Sequence, residues 1–169
     1  GMTATAAFNE AVATVAASLT GTLNNMGPIP NRSSNQLLIT GTAIGSFGFE
    51  LQEAPSESLQ LQIEGMSPVA EALELIAELL EASTKSDEEL SEPVSKLQDR
   101  ALVAVSEFLD KLTSNDAACS ITTRYRSFRF SDSNQVLISK SRLSKDNIKE
   151  LDYSLTGIFL GVFPDKRTF

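Results

Sequence analysis

The sequence predicts an α+β fold in which antiparallel sheet carries amphipathic helices packed against it, with a small twisted or barrel-like β-unit at the C-terminal end. Three observations predict it. Some stretches repeat their apolar residues at helical spacing and others at every second position. The two kinds follow each other in the order α-β-β-(β)-α-α-β-β-α-β, which is not the regular alternation of a parallel βαβ sheet. The chain has 169 residues, 41% hydrophobic and 21% charged, so it is long enough to bury a core and ordinary enough in composition to be a soluble globular protein.

Gly1 before Met2 reads as a scar left by tag removal. The first element is a helix from about Thr5 to Asn24. Phe8, Val12, Val15, Leu19 and Leu23 form one stripe, and Gly27-Pro28 is the expected stop. The opposite face, Ala13, Ala17, Thr20 and Gly21, is small and uncharged where a solvated helix carries Lys and Glu. Two explanations compete: burial inside the domain, or a face that meets a second copy. Those four residues are the candidate interface.

Pro28–Asn35 is a loop by composition. Gln36–Ala54 reads as strand, since Phe47, Phe49 and Leu51 alternate with Gly48, Glu50 and Gln52. Leu59, Leu61 and Ile63 alternate likewise, and an antiparallel pair of the two stretches is expected. Next comes a helix over Val69–Ala82 with Ser67 as N-cap, Pro68 in its first turn and an acidic stripe of Glu71, Glu74, Glu78 and Glu81. Ser86-Asp87-Glu88-Glu89 resembles a capping box. Pro93 is expected to restart a helix, because an interior proline costs about 3 kcal/mol. Val94, Leu97, Ala101, Val105, Phe108 and Leu112 form the cleanest apolar stripe, ending at Ser114-Asn115-Asp116. Ile121–Phe130 and Gln135–Ser139 read as strands joined through Ser131–Asn134. Ser144–Leu151 reads as a short helix. Tyr153–Phe163 reads as a strand with both faces apolar, followed by a turn at Pro164–Arg167. Such a turn normally delivers a partner strand, so the natural chain either continues past Phe169 or simply ends there.

Charge divides the chain. Residues 1–118 hold 5 basic and 17 acidic residues, net −12, and residues 119–169 hold 9 basic and 5 acidic, net +4, within a total of −8. The expectation is an acidic α+β portion (1–118: helix, β-hairpin, two helices) and a basic β-rich portion (119–169), packed together as one compact unit. The acidic stripe is a solvated face, or it attracts the basic portion within or between chains, or the basic portion binds phosphate or nucleic acid.

Composition also excludes chemistry. The chain has no His and one Cys. Ser–His and Cys–His nucleophile pairs, His-ligated metals, Cys-rich metal sites and CxxC redox chemistry are therefore ruled out. Cys119 reads as a small buried hydrophobe. Arg124-Tyr-Arg-Ser-Phe-Arg-Phe130 mixes basic and aromatic residues as single-strand nucleic-acid platforms do, but alternation splits them over two faces. Aromatics in the core and arginines at the rim is the simpler reading. The glycines at 41, 45 and 48 lack the Lys-Ser/Thr ending and the following helix of a phosphate loop, so they are read as shaping a β-segment by turning or bulging. Glu50 and Glu53, an odd number apart on a strand, make no acid/base pair. Glu74 and Glu78 share a helix face, but no DxDxDG loop accompanies them.

The functional expectation is a non-catalytic binding or protein-interaction module that self-associates, as a homodimer or with another protein. It has no cofactor, no metal, no catalytic residues and no membrane contact, and it is cytoplasmic. The alternative is nucleic-acid or phosphorylated-ligand binding through Arg124, Arg126, Arg129, Lys140 and Arg142.

Overall fold

A computed structural model describes residues 3–43, 48–54, 65–144 and 147–148. Within them lie five helices and two small antiparallel two-stranded sheets, as an α+β reading requires.

Helix α1 (Ala4–Leu19) opens on Thr3, whose hydroxyl accepts from the Ala6 N–H at 3.2 Å. Every residue from Ala11 to Ser18 is buried. Two further helices account for that. Helix α4 (Asp99–Ser114) runs antiparallel beside α1: Phe8 meets Phe108 with ring centroids 5.1 Å apart, and the Ser18 hydroxyl accepts from the Gln98 N–H. Helix α2 (Pro68–Ser83) packs on it as well. A helix buried all round needs small, uncharged side chains on every face, which explains the Ala-rich sequence. The helix stops at Thr20 and Gly21, earlier than the expected Gly27-Pro28. Gly21 has φ +69°, the left-handed conformation that ends helices at low steric cost.

Strands β1 (Leu37–Ala43) and β2 (Gly48–Glu53) pair antiparallel, from Leu37 opposite Glu53 to Ala43 opposite Gly48. The stretch expected to form one long strand therefore folds back on itself as a hairpin. The register shifts between Ile39 and Gly41. A Cβ on Gly41 would lie 2.7 Å from Glu50 Oε2, so the end of the exposed Glu50 side chain lies over Gly41 and would have to shift aside for a larger residue. The expected partner strand around Leu59–Ile63 lies outside the described residues, as does Gly45.

Helix α2 has the cap read from sequence: the Ser67 hydroxyl accepts from the Ala70 N–H at 3.1 Å, with Pro68 in the first turn. Helix α3 (Asp87–Ser95) begins at Ser86, whose hydroxyl accepts from the Glu89 N–H. Pro93 lies inside α3 and does not start the next helix, which begins only at Asp99. The Pro93 ring is fully buried, and that burial offsets the lost hydrogen bond. The Val94–Leu112 stripe is real as a buried face. It spans the end of α3, the linker residue Leu97 and α4.

The last third departs furthest from expectation. Strands β3 (Ser120–Thr122) and β4 (Ser127–Arg129) form a short hairpin within the single strand expected over Ile121–Phe130. Residues 123–126 turn, with the Thr123 N–H donating to the Arg126 carbonyl at 2.8 Å. Gln135–Ser139 is not a strand but part of helix α5 (Ser133–Arg142). Asp132 caps α5, its carboxylate accepting from the Gln135 N–H at 2.9 Å. Val136, Ser139 and Leu143 are buried at three- and four-residue spacing, while Leu137 and Ile138 face outward. The cap and the helical period outweigh the β-preference of Val and Ile.

Phe128, Phe130, Val136 and Leu143 join the same buried cluster as α1, α2 and α4, so the described parts of the acidic and basic portions share one core. Most of the Ser144–Leu151 helix, the doubly apolar Tyr153–Phe163 strand, the Pro164–Arg167 turn and the barrel-like unit lie outside the described residues.

Candidate functional site

The structure does not gather the five candidate basic residues into one cleft. Arg126 Nη1 lies 2.8 Å from Glu81 Oε2 on α2. Lys140 pairs with Asp110 on α4. Arg142 donates to the Ser83 carbonyl at 3.0 Å and lies 3.7 Å from the Asp87 carboxylate. Arg124 sits in the 123–126 turn with its guanidinium 5.4 Å from the Tyr125 ring centroid, a cation–π distance. Arg129 points outward from β4. Three of the five therefore meet acidic side chains of this same chain. Of the acidic stripe itself, Glu81 meets a basic side chain of the C-terminal portion.

The stripe itself is divided among several partners. Glu74 Oε1 accepts from the Tyr125 N–H at 3.2 Å. Glu78 faces Lys96 at 3.6 Å, and Glu81 is shared between Arg126 and Lys85. Hydrogen bonds from Lys85 and Arg126 hold the Glu81 carboxyl below the usual range, and the same Glu81 contact raises Lys85. Lys96 is raised by Glu92 and Glu78. These are the shifts of ordinary ion pairs.

Elsewhere, Glu53 accepts from the Ser67 hydroxyl at 2.7 Å while Glu50 lies against Gly41, so the two carboxylates have different neighbours. Among the described residues no group of three or more His, Cys, Asp or Glu is placed to hold a metal ion. Burial pushes the half-buried Cys119 thiol up to about 12, which removes its nucleophilic form at neutral pH. Among the described residues, no helix is long and apolar enough to cross a membrane.

The candidate interface residues also separate. Ala13 and Ala17 are 1% and 0% exposed and belong to the core, so the small face at these positions packs against this chain's own helices. Thr20 and Gly21 are exposed at the helix end. The Thr20 hydroxyl donates to the Ala16 carbonyl at 3.1 Å, and Gly21 supplies the stop.

The structure instead draws attention to residues the sequence left unmarked. Leu38, Ile39 and Phe49 on the β1–β2 hairpin are 45%, 54% and 48% exposed. The hairpin is anchored at its base by Asn9 of α1, whose side-chain amide accepts from the Leu37 N–H at 2.9 Å and donates to the Leu37 carbonyl at 3.1 Å. No local pattern marks Asn9, because its partner lies 28 residues away. Arg100, also unmarked, pins the loop after α1 by donating to the Asn24 and Gly27 carbonyls.

No protein-family model, curated protein or solved structure matches this chain.

Proposed function

We propose that this protein is a non-catalytic, cytoplasmic interaction module that self-associates. The observation that carries this reading is the β1–β2 hairpin. It is anchored at its base to α1 and α2, yet it holds Leu38, Ile39 and Phe49 about half exposed. Three large apolar side chains exposed on one small hairpin are typical of a surface that meets another protein. The absence of His and the inert setting of Cys119 support a surface that binds over a site that reacts.

Size-exclusion chromatography with light scattering, at low and at high salt, tests it. An apolar contact between chains of net charge −8 tightens as salt screens their repulsion. Association that vanishes at high salt would indicate that charges make the contact instead. A strictly monomeric protein at both salts contradicts self-association.

Nucleic-acid or phosphate binding is the second reading, and one observation favours it: Arg124 and Arg129 are exposed, with no ion pair among the described residues. Arg126, Lys140 and Arg142, already facing carboxylates, weaken it. A gel-shift titration decides, since phosphate contacts are strongest at low salt.

A further inference from the structure

We infer that the solvent-facing side of the β3–β4 hairpin, with its 123–126 turn, binds single-stranded nucleic acid: Arg124 and Arg129 meet phosphates and Tyr125 stacks on a base. This rests on the second reading above.

The pairing sets what faces solvent. Ser120 lies opposite Arg129, Ile121 opposite Phe128 and Thr122 opposite Ser127. Side chains alternate, so Ile121 and Phe128 turn to the core while Ser120, Thr122, Ser127 and Arg129 are exposed. The exposed side thus carries one arginine and three hydroxyls, two of which meet, with Thr122 Oγ1 3.1 Å from Ser127 Oγ. Residues 119–131 hold three arginines and no Asp or Glu. Arg126 is spent on Glu81, whereas Arg124 and Arg129 are exposed with no ion pair among the described residues.

The turn is braced. The Thr123 N–H and hydroxyl both donate to the Arg126 carbonyl, at 2.8 and 3.0 Å, and the hydroxyl accepts from the Arg126 N–H at 3.0 Å. Glu74 of α2 takes the Tyr125 N–H. A backbone tied at these points leaves the Tyr125 side chain 65% exposed, while Phe128 and Phe130, the other aromatics of the stretch, are buried. The Arg124 guanidinium lies 5.4 Å from the Tyr125 ring centroid, so a cation for a phosphate and a ring for a base stand together.

This chemistry selects the occupant. Arginine and hydroxyl donors suit phosphate oxygens. An exposed ring suits an unpaired base, since every base offers a π-face once it leaves a duplex. An acidic peptide would use the arginines and leave the ring idle. Glu53 and Glu74 line a groove beside the turn, together with Arg124 and Tyr125, and confine phosphate contact to the outward side of the hairpin. The net charge of −8 adds no long-range attraction, so binding rests on few contacts and a small salt slope follows.

The test uses the full chain and fluorescence anisotropy with a labelled oligothymidylate of about 12 nucleotides, titrated across salt concentrations. Thermal melting confirms that each variant is folded. For two phosphate contacts the slope of log K against log salt is expected near about −1.4, falling to about −0.7 in either Arg124→Gln or Arg129→Gln. Lys140→Gln, which removes the same charge from a residue already paired with Asp110, is expected to leave the slope unchanged. Tyr125→Ser is expected to weaken binding at least about fivefold, with Tyr125→Phe retaining it and an abasic strand of the same length binding more weakly. If Tyr125→Ser fails to fold, the abasic comparison on the wild type decides the stacking. Binding that none of the Arg124, Arg129 and Tyr125 variants changes, or that Lys140→Gln weakens as much, overturns this face and leaves nucleic-acid binding standing elsewhere on the chain. An abasic strand that binds equally, or polyglutamate that competes as well as the oligonucleotide, overturns base stacking and assigns the face to anionic chains in general. No binding at low salt overturns both this face and the second reading.

Discussion

Asn9 does more than its place in a helix suggests. Asn is a poor helix former, because its amide competes for backbone groups, and here that amide is spent on the Leu37 N–H and carbonyl. Asn9→Ala leaves both Leu37 groups without their partner. It is expected to lower stability by about 1–3 kcal/mol, measured by urea unfolding. Phe130 is 1% exposed and meets Phe128 edge-on with centroids 4.8 Å apart. Phe130→Ala is expected to cost about 3–5 kcal/mol in the same measurement. Cys119 gives a chemical readout: with the thiol pushed up to about 12 by burial, it should react with a thiol reagent at pH 8 far more slowly folded than unfolded. Equal rates would contradict the buried setting. At this scale the sequence was informative wherever the signal is local. The Ser67 and Ser86 caps and the buried Phe128 and Phe130 follow from neighbours a few residues away. Asn9 and Arg100 do not, because their partners lie 28 and more than 70 residues off.

Elements were legible where pattern and punctuation agree. Helix α2 has a cap, a first-turn proline and an apolar face, and it lies where those signals place it. Helix α5 shows two signals in conflict. Val136, Leu137 and Ile138 favour strand, but Asp132 caps a helix and only the three- and four-residue spacing buries Val136, Ser139 and Leu143. Asp132→Ala is therefore expected to destabilise by about 1 kcal/mol through loss of the cap, with helical circular dichroism reporting the change. A variant as stable as wild type would mean that the cap contributes little. The strand at Gln36–Ala54 failed for a different reason. Alternation identifies strand but not where a chain reverses, and the reversal lies between two glycine-bearing strands. Helix α1 marks the limit of periodicity itself. A face of Ala and Thr fits either a partner's helix or the chain's own, and only the positions of α2 and α4 decide that Ala13 and Ala17 are internal.

Across the whole molecule, the division of charge between the two portions describes how the chain packs on itself. Arg126, Lys140 and Arg142 meet Glu81, Asp110 and Asp87 across the boundary, while Phe128, Phe130, Val136 and Leu143 fill the shared core beneath them. The apolar contacts dominate the energetics. A double-mutant cycle on Glu81 and Arg126 is expected to give a coupling below about 1 kcal/mol, because both side chains are about one-third exposed. The pH dependence has a definite sign. Glu81 is lowered in the folded state, so its contribution is present above its unfolded value of 4.5 and is lost as pH falls through the lower folded value. Raising pH from 6 to 8 should leave that contribution unchanged. The in-chain pairing occupies Arg126, Lys140 and Arg142 and leaves Arg124 and Arg129 exposed, without an ion pair among the described residues. The β1–β2 hairpin adds exposed apolar side chains, Leu38, Ile39 and Phe49, to the protein's surface. The central claim is that this hairpin brings two copies together. The mass of the full chain in solution, measured by light scattering across concentration at low and high salt, tests that claim most directly. The account predicts twice the 18.2 kDa chain mass, reached at lower concentration in high salt. A mass of 18.2 kDa at every concentration and both salts would contradict it.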